Sequence, residues 1–375
     1  MHVPLHIVLG LAAIVGTCVY LIHWIRVIAF FNTQRIPTGK VPPQTLEIIC
    51  AFRNESSHLP SFLDHALAVI QNLPVKIRLI DDQSEDNGKA IIENHKIYTH
   101  HSFEFAGAPQ EISNKKACLD WAINNSDYPI ILTTDADCEI HSESIVRFYH
   151  FFEHSQSQLA LGLVNFHSEN NYLESYQRIE NTALIALSTF DANHSQPTMG
   201  NAANMMFRKA AFQETDPYRE FLHIPGGDDI FLIQAFHKKG FKITYANDMS
   251  TSVATEVLKD WKSLWHQRIR WAQKSKFQAF GKTQKSQILF VVYLVFLWGI
   301  SFYMVLQKAY AFLLLCWCIK LLGEMFFIRK MFQKINQKPP TIDQIFMASI
   351  LQSLFIPLVA IAQFVVPVRW KDRKL

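Results

Sequence analysis

Long apolar stretches at both ends constrain this chain more than any other feature. Residues 5–31 form one such stretch, and residues 287–306, 309–328 and 343–367 form three more. Each matches the roughly 20 apolar residues that a helix needs to cross the hydrocarbon core of a bilayer. Charged residues make up only 18% of the chain, below the roughly 25% typical of soluble domains. The sequence therefore predicts an integral membrane protein with a more polar region, about 44–282, between two apolar ends.

The first apolar stretch is predicted to be a retained spanning helix. A signal peptide would begin with basic residues, whereas the segment from Met1 to His6 contains neither Lys nor Arg. Basic residues follow the stretch instead, at Arg26, Arg35 and Lys40, and basic residues prefer the cytosolic side of a membrane. We therefore expect the polar region to be cytosolic.

The topology of the other end stays open at this stage. Three spanning stretches would place the C-terminus outside, yet residues 369–374 are mostly basic and prefer the inside. The last stretch contains Pro357 and Pro367, so it either spans the bilayer or re-enters it. The sequence does not decide between these alternatives.

The polar region alternates strand-like and helix-like segments. Residues 46–51, 75–80 and 130–133 are short apolar runs, and each is followed by a polar loop and a helical pattern. This alternation predicts an α/β fold with a largely parallel sheet flanked by helices. Ligands of such sheets bind at the carboxyl ends of the strands, so the polar loops after the runs are the candidate functional segments.

Carboxylates recur in these loops. Asp135 and Asp137 are two residues apart at the end of a strand and can therefore point the same way. Carboxylate oxygens suit a hard divalent cation such as Mg²⁺ or Mn²⁺, and a further carboxylate can serve as a general base. A single Asp-x-Asp is often only a turn or a helix cap, so the prediction depends on the ordered set of motifs, which comprises residues 51–55, 81–86, 135–137, 226–229 and 267–271.

The ordered set resembles the family 2 inverting glycosyltransferases, in particular the membrane-bound branch of cellulose, chitin and hyaluronan synthases and ceramide glucosyltransferase. The resemblance covers about residues 46–275. It implies a GT-A-type mostly parallel sheet with flanking helices, plus N- and C-terminal transmembrane helices. It also implies a nucleotide-sugar donor, for which a UDP-sugar is the first candidate. A Mg²⁺ or Mn²⁺ cofactor and a lipid-linked or polysaccharide acceptor are implied as well.

The resemblance assigns residues to the donor. Glu55, Asp81 and Asp82 match the positions that hold the nucleoside. Lys116 matches the lysine near the diphosphate in the family's Gly-Lys-x-x-Ala-Leu-like helix start. These four residues are therefore expected to bind the nucleotide-sugar.

The resemblance also assigns the metal and the base. Asp135 and Asp137 match the metal motif, with Asp137 as the direct ligand and Asp135 also close to the substrate. Asp229 matches the catalytic base of the Thr-Glu-Asp or Gly-Glu-Asp motif. The usual Glu before the base is Asp228 here, so Asp228 is the alternative base.

Residues 255–282 are predicted to form an amphipathic helix at the membrane interface, because Trp combined with Lys and Arg suits that location. A core-packing helix is the alternative. Within residues 255–282, Gln267, Arg270 and Trp271 match the family's Gln-x-x-Arg-Trp motif, which positions the acceptor and the diphosphate. The apolar positions are Val257, Trp261, Leu264, Trp265 and Ile269, and the basic ones are Lys259, Lys262, Arg268, Lys274 and Lys276.

Two further features each have two interpretations. Residues 199–204 resemble the family's acceptor-side loop, or they form a plain Gly/Asn turn. Lys320 and Glu324 lie four residues apart in an apolar stretch and thus share a helix face. Ionisable residues inside a membrane are usually paired, so a structural ion pair is favoured over a role in acceptor passage.

The predicted organisation has four parts. They are an N-terminal transmembrane helix at 1–33, a GT-A catalytic domain at 44–254, the interfacial helix at 255–282 and a C-terminal transmembrane region at 283–375. The net charge of +4 is too small for a nucleic-acid-binding protein, and basic residues near the apolar stretches suit anionic membrane lipids.

Three alternative functions compete with the single-transfer glycosyltransferase. A processive polysaccharide synthase normally has more spanning helices than the four predicted here. A non-catalytic membrane scaffold would have lost the carboxylates. A nucleotidyltransferase would need a Gly-rich phosphate loop after the first strand. The six cysteines are scattered and the sixteen histidines do not group with them, so neither a disulfide framework nor a histidine metal site is predicted.

Overall fold

The computed structural model resolves two compact units. The helical unit comprises Met1–Asn32, Ser168–Gln196 and Leu258–Pro367, and the sheet unit comprises Thr33–His167, Pro197–Val257 and Val368–Leu375. The described residues are 4–31, 36, 45–109, 114–167, 171–194, 197–224, 226–274, 282–366, 369–370 and 373–374.

The strands of the described residues all lie in the sheet unit. They are β1 (Leu46–Phe52), β2 (Lys76–Asp81), β3 (Phe103–Gly107), β4 (Ile130–Thr134), β5 (Cys138–Glu139), β6 (Leu159–Leu161), β7 (Val164–Phe166), β8 (Met205–Arg208), β9 (Ile243–Tyr245), β10 (Val253–Thr255), β11 (Arg369–Trp370) and β12 (Arg373–Lys374).

The helices are divided between the two units. Those of the sheet unit are α2 (Leu59–Asn72), α3 (Gly88–Asn94), α4 (Lys115–Asn124), α5 (Ser142–Ser155), α7 (Lys209–Thr215) and α8 (Asp228–Lys238), with short 3₁₀ turns at Lys96–Thr99, Ala202–Asn204, Arg219–Phe221 and Met249–Thr251. Those of the helical unit are α1 (Leu5–Phe30), α6 (Tyr172–Asn193), α9 (Trp261–Lys274), α10 (Lys282–Leu306), α11 (Tyr310–Lys334) and α12 (Ile342–Ala362).

A mostly parallel sheet organises the sheet unit. Its strand order is β3-β2-β1-β4-β8-β6-β9, and of these seven described strands only β8 runs antiparallel to its neighbours. Every residue of the central β1 is buried, as expected for a strand covered on both faces. A second, smaller sheet has the order β5-β10-β7. This arrangement confirms the predicted α/β class.

One charged residue lies in the central strand. Glu47 is fully buried, and its carboxylate lies 2.8 Å from Nε of Arg78 on the adjacent β2. The hydroxyl of Ser126 donates a hydrogen bond to the same carboxylate. Burial nevertheless raises the pKa of Glu47 above its ordinary value, with Ser126 and Arg78 opposing the increase.

Four helices of the described residues are long and apolar enough to cross a membrane. They are Leu5–Phe30, Gln287–Leu306, Tyr310–Lys334 and Ile342–Ala362. This confirms the predicted apolar helices at both ends, one N-terminal and three C-terminal. Pro357 lies inside the last of them, whereas Pro367 and residues 32–35 and 37–44 lie outside the described residues.

The helical unit contains a buried polar cluster, which we define as Tyr20, Lys320 and Glu324. The Lys320 amine lies 2.7 Å from one carboxylate oxygen of Glu324, and the Tyr20 hydroxyl donates a 2.6 Å hydrogen bond to the other. Both charged residues are buried. The predicted ion pair is therefore formed within α11, and the hydrogen bond from Tyr20 links α1 to α11.

Helix α9 begins at Trp261, and residues 275–281 of the predicted interfacial segment lie outside the described residues. Leu264 and Ile269 face inward, whereas Trp261 and Trp271 are exposed. Arg268, one of the residues predicted to supply basic charge to this helix, is buried because its guanidinium pairs with Glu180 of α6 at 2.5 Å. The helix thus combines a packed face with exposed tryptophans.

Helix α6 belongs to the helical unit although the sequence boundaries placed it inside the region 44–254. The side chain of Gln177 both donates to and accepts from the backbone of Leu258, at 2.9 and 3.0 Å. The ring of Tyr176 packs edge-on against Phe355 of α12. These contacts explain why residues 168–196 group with the flanking helices. The domain boundaries drawn from the sequence stay a prediction.

Candidate active site

The carboxyl ends of β1, β2 and β4 lie side by side in the sheet unit. Phe52 pairs with Asp81 across β1 and β2, and Cys50 pairs with Thr134 across β1 and β4. The loops that follow these strands therefore start from one edge of the sheet. In a parallel sheet this edge is the usual ligand site.

The loops after β1 and β2 are bonded to each other. The buried guanidinium of Arg53 donates to the backbone carbonyls of Asp82, at 2.9 Å, and Gln83, and it pairs with Glu85 at 2.5 Å. Asn54 adopts a positive φ of 51°, which Asn tolerates better than most residues. These contacts hold the two loops in one arrangement.

The three predicted nucleoside-binding carboxylates lie in these loops. The Asp82 side chain is fully buried, Asp81 is half-buried and accepts a 2.9 Å hydrogen bond from the backbone of Ser84, and Glu55 is half-buried. Glu55 also contacts Nδ1 of His58 at 2.8 Å. Of the three, Glu55 and Asp81 therefore present carboxylate surface to solvent, and Asp82 is a buried support of the loop.

Lys115 connects two of the predicted motifs. Its amine lies 2.5 Å from Oδ1 of Asp135 at the end of β4 and 3.0 Å from Oδ2 of Asp228 at the start of α8. One lysine therefore brings the predicted metal motif and the predicted base motif together. Asp137 lies two residues after Asp135 in the loop that follows β4 and is exposed.

The charges of this group shift one another's protonation. Burial alone would lower the pKa of Lys115, but Asp135 and Asp228 outweigh it, so the pKa is raised well above its usual value. Burial raises the pKa of Asp135, Lys115 opposes the increase, and the negative charges of Asp137 and Asp228 add to it. The group thus holds more carboxylates than amines, and this surplus favours a cation.

Lys116, the lysine that the resemblance placed near the diphosphate, points elsewhere. Its fully buried amine donates to the backbone carbonyls of Ile224 and, at 2.8 Å, of Gly226, and it lies 4.5 Å from the centre of the Phe231 ring. Lys116 therefore fixes the loop that leads into α8. Sequence reasoning passed over Lys115, which contacts the carboxylates.

A signal for Lys115 was present in the sequence. In the pattern Gly-Lys-x-x-Ala-Leu the lysine precedes the leucine by four residues, and Lys115 precedes Leu119 by that spacing. Successive residues of a helix point about 100° apart, so a shift of one position changes which amine faces the sheet edge. Asn114 caps this helix and accepts a hydrogen bond from the backbone of Ala117 at 3.0 Å.

The start of α8 presents the predicted base. Gly226 and Gly227 have φ values of 65° and 80°, so the chain enters the helix through two left-handed residues. A Cβ on Gly227 would lie 2.7 Å from the Phe231 ring. Asp228 is buried, and its backbone carbonyl accepts a 2.9 Å hydrogen bond from the Tyr218 hydroxyl. Asp229 is half-buried and thus more accessible than Asp228.

The chemistry of the donor set fits a hard divalent cation. The side chains of Asp135 and Asp137 offer only carboxylate oxygens, which Mg²⁺ and Mn²⁺ accept readily. Asp137 is exposed and its backbone carbonyl is held by a 3.0 Å hydrogen bond from the Thr255 hydroxyl. The side chain is therefore available while its backbone is fixed.

The loop at 199–204 is braced by its own asparagines. Asn201 accepts a 3.0 Å hydrogen bond from the backbone of Ala203, and the buried amide of Asn204 donates to the carbonyls of Leu163 and Thr251, both at 2.9 Å. These bonds use the asparagines as structural supports. The acceptor-side role of this loop stays a prediction.

The three residues of the Gln-x-x-Arg-Trp motif lie on α9, in the helical unit. Gln267 and Arg270 are half-buried, and Gln267 accepts a hydrogen bond from the neighbouring Arg268. Trp271 is 38% exposed, and its ring lies 4.1 Å from the Arg268 guanidinium. Their role towards acceptor and diphosphate stays a prediction of the resemblance.

Comparisons with known proteins identify a family and a fold. A family model described as "Glycosyltransferase like family 2" matches residues 42–274. The poly-beta-1,6-N-acetyl-D-glucosamine synthase of Staphylococcus aureus (strain COL) is 27% identical over 274 residues, which cover 67% of this chain and 62% of the relative. This chain thus spans less than two thirds of that relative's length.

A solved structure shares the fold. The mannosyltransferase PcManGT from Pyrobaculum calidifontis, in complex with GDP-Man and Mn²⁺, has a TM-score of 0.55 at 15% sequence identity. The similarity covers 93% of this chain and 97% of that chain. At this level of identity the likeness establishes the fold.

Proposed function

This chain belongs to the family 2 glycosyltransferases, and we propose that it moves a sugar from a nucleotide-sugar, in the first place a UDP-sugar, to a hydroxyl of a lipid-linked or polysaccharide acceptor at the membrane. The contact of Lys115 with both Asp135 and Asp228 carries this proposal. It brings two motifs that are far apart in the sequence to one edge of the sheet. A surplus of carboxylates at that edge suits a metal–diphosphate donor.

Asp137, with Asp135 beside it, is the proposed holder of Mg²⁺ or Mn²⁺, which would supply positive charge to offset the leaving diphosphate. The carboxylate donor set supports this assignment, as does the exposure of Asp137. The related fold of PcManGT was solved with Mn²⁺.

Asp229 is the proposed general base. It would accept the proton of the acceptor hydroxyl while the hydroxyl oxygen bonds to the anomeric carbon and the bond from that carbon to the diphosphate breaks. The nucleoside diphosphate leaves with the electron pair, and attack from the opposite face inverts the anomeric centre. The accessibility of Asp229 supports this choice, since Asp228 is buried against Lys115.

Lys115 is the proposed source of fixed positive charge beside the diphosphate, the role that the resemblance gave to Lys116. Its amine already faces the two carboxylates of the edge, whereas the Lys116 amine is occupied by backbone carbonyls. A cation placed before the reaction stabilises charge that develops on the leaving group without any reorganisation. Glu55 and Asp81 keep their proposed role at the nucleoside.

The sheet unit is proposed to lie on the cytosolic side. Basic residues, Arg26 among them, lie near the C-terminal end of the first helix and after it, and basic residues prefer that side of a membrane. A processive polysaccharide synthase is the second candidate, since the S. aureus relative is a polymer synthase. The length of the product formed from a single acceptor separates a processive enzyme from a single-transfer enzyme.

The test uses the full chain in detergent. The release of nucleoside diphosphate is measured from UDP-GlcNAc, UDP-glucose and GDP-mannose, each with Mn²⁺ or Mg²⁺ and with a lipid-linked or oligosaccharide acceptor. One donor is expected to turn over in a metal-dependent manner and to raise the thermal midpoint of the protein. A chain that binds none of these donors and turns none over would refute the donor assignment.

The base assignment has its own variants. Asp229→Asn is expected to lower transfer by about 10²–10⁴-fold while the donor still raises the thermal midpoint. Asp127→Asn, at an exposed position before β4, is the matched control and should transfer at the wild-type rate. If Asp229→Asn keeps full transfer and Asp228→Asn abolishes it, the two aspartates exchange roles. Full transfer by both variants would place the base elsewhere, whereas no transfer by the wild type would favour a non-catalytic scaffold.

A further inference from the structure

Two histidines and a glutamate from separate elements of the sheet unit lie together outside the site described above. They are His65 on α2, Glu139 on β5 and His141 directly before α5. One possible ligand atom from each lies within 4.8 Å of the others. The rings of His65 and His141 are 5.1 Å apart and nearly perpendicular. Nothing in the sequence spacing suggested this group.

We propose that His65, Glu139 and His141 form a second metal site, which takes a transition metal ion of the Zn²⁺ type. Two imidazoles and one carboxylate are typical ligands of Zn²⁺, whereas Mg²⁺ prefers oxygen ligands throughout. The site therefore differs in its chemistry from the all-carboxylate pair Asp135 and Asp137. The two sites select different ions in the same protein.

The tautomer of His65 suits this role. Its Nδ1 lies 2.8 Å from the backbone carbonyl of Ser61 on the same helix, and a carbonyl can only accept a hydrogen bond. The neutral ring therefore carries its proton on Nδ1, which leaves the lone pair of Nε2 for a metal. Metal-bound histidines commonly donate their other ring N–H to a carbonyl or carboxylate in this way.

The carboxylate of Glu139 is also held in place. Nε2 of His167 lies 3.0 Å from Oε2 of Glu139, and β5 pairs with β10 through Glu139 and Ala254. His167 thus acts as a positioning residue for this carboxylate. Such partners of a ligand typically contribute about 10–100-fold to metal affinity.

Only small side-chain movements separate this group from a bound ion. Tetrahedral ligands at the usual zinc distances of about 2.0–2.1 Å lie roughly 3.4 Å from one another, so the ligand atoms need to close by about an ångström. His65 and Glu139 are half-buried and His141 is exposed, which leaves a side of the site open to solvent. A fourth position is therefore available for water.

An ion at this site would fasten α2 to β5 and to the start of α5. Glu139 follows the metal motif by only two residues, so the ion would also fix the chain just beyond Asp137. We assign the site a stabilising role on this segment. Sugar transfer itself does not require the ion, because none of its three ligands belongs to the proposed catalytic group.

The test titrates Zn²⁺ into the full chain, produced without a histidine tag, in excess Mg²⁺ so that the carboxylate pair is occupied. One saturable Zn²⁺ site is expected by calorimetry, together with a rise in thermal midpoint. His65→Gln and His141→Gln are each expected to weaken Zn²⁺ binding at least tenfold, and His167→Gln is expected to weaken it about tenfold. Metal-free variants should unfold at the wild-type midpoint.

Three controls make the result decisive. His237→Gln changes an exposed histidine outside the cluster and should bind Zn²⁺ as the wild type does. His154→Gln changes one of two histidines that lie four residues apart on α5, His150 and His154, and should likewise leave binding intact. Asp137→Asn should keep the Zn²⁺ site and lose metal-dependent transfer.

Two outcomes would overturn the proposal. Zn²⁺ binding that persists in both His65→Gln and His141→Gln but disappears in Asp137→Asn or His154→Gln would place the ion elsewhere. The absence of any saturable Zn²⁺ binding in a wild-type chain that still transfers sugar would remove the site and leave the proposed function untouched. Conversely, a chain that binds Zn²⁺ but releases no nucleoside diphosphate keeps this site and loses the proposed function.

Discussion

Each of the two units buries a lysine against carboxylates, and the two groups differ in their balance of charge. In the sheet unit Lys115 faces both Asp135 and Asp228, with Asp137 close by. In the helical unit Lys320 faces one carboxylate among the described residues, that of Glu324. The first group has a surplus of negative charge, and the second has none.

The second group is also closed by hydrogen bonds. The carboxylate oxygen of Glu324 that does not face Lys320 accepts a hydrogen bond from Tyr20, so both oxygens are used within the helices. In contrast, Asp137 of the first group is exposed. An amine and a carboxylate that are paired and enclosed are stable in an apolar setting. A surplus of carboxylates at an accessible edge of the sheet suits a cationic ligand instead. The same residue types thus serve two purposes.

The largest effect is expected when the surplus of carboxylates in the sheet unit is reduced. Asp137→Asn should lower transfer by about a thousandfold, equivalent to about 4 kcal/mol, because the ion that offsets the leaving diphosphate loses its direct ligand. The measurement is the initial rate of nucleoside diphosphate release at saturating donor and Mn²⁺. The exposed Asp127→Asn is the control, and wild-type rates in Asp137→Asn would disprove the metal assignment.

The next largest effect is expected when the ion pair of Lys320 and Glu324 is broken. Lys320→Met should destabilise the helical unit by about 3 kcal/mol, because it leaves the Glu324 carboxylate buried without its cation. The free energy of unfolding is measured by denaturant titration in detergent. Lys330→Met, at an exposed position of the same helix, should have little effect.

A double variant sharpens this prediction. Lys320→Met combined with Glu324→Leu removes both charges, and it should recover most of the lost stability since no charge stays buried. If the double variant is as unstable as Lys320→Met alone, the packing of the lysine stem matters more than the charge.

A smaller effect tests the entry into α8, which orients the base. Gly227→Ala should cost about 1–3 kcal/mol of stability, because the residue has a φ of 80° and its new Cβ would lie 2.7 Å from the Phe231 ring. Gly240→Ala is the matched control: its φ is 78°, and a Cβ there meets nothing within 4 Å. The difference between their thermal midpoints isolates the clash with Phe231 from backbone strain.

The smallest effect concerns Glu47, a buried carboxylate outside both groups. Since burial raises its pKa in the folded state, the folded protein binds the proton more tightly than the unfolded chain. Its contribution to stability is therefore greatest below the unfolded pKa of about 4.5 and is lost as the pH rises through the folded value. The thermal midpoint of the wild type relative to Glu47→Gln should fall over this range, and a rising difference would contradict the direction of the shift.

Much of the fold was readable from residue patterns. The apolar stretches predicted the helices at both ends, and the short apolar runs at 46–51, 75–80 and 130–133 coincide with β1, β2 and β4. Residue type was less reliable than position for a charged residue with a long stem. Arg268 lies four residues after Leu264 and therefore on the same face of α9, and it is buried there because Glu180 of α6 supplies its partner. A helical pattern holds no information about a partner 88 positions away.

The sequence by itself determined that carboxylates follow the strands of a parallel sheet, because strand runs and polar loops alternate locally along the chain. Only the tertiary structure decided which lysine faces them. Lys115 and Lys116 have the same chemistry and adjacent positions, but the helix turns one amine towards Asp135 and Asp228 and the other towards the carbonyls before α8. The grouping of His65, Glu139 and His141 likewise arises from the packing of α2 against β5 and α5, which depends on contacts between residues distant in the chain.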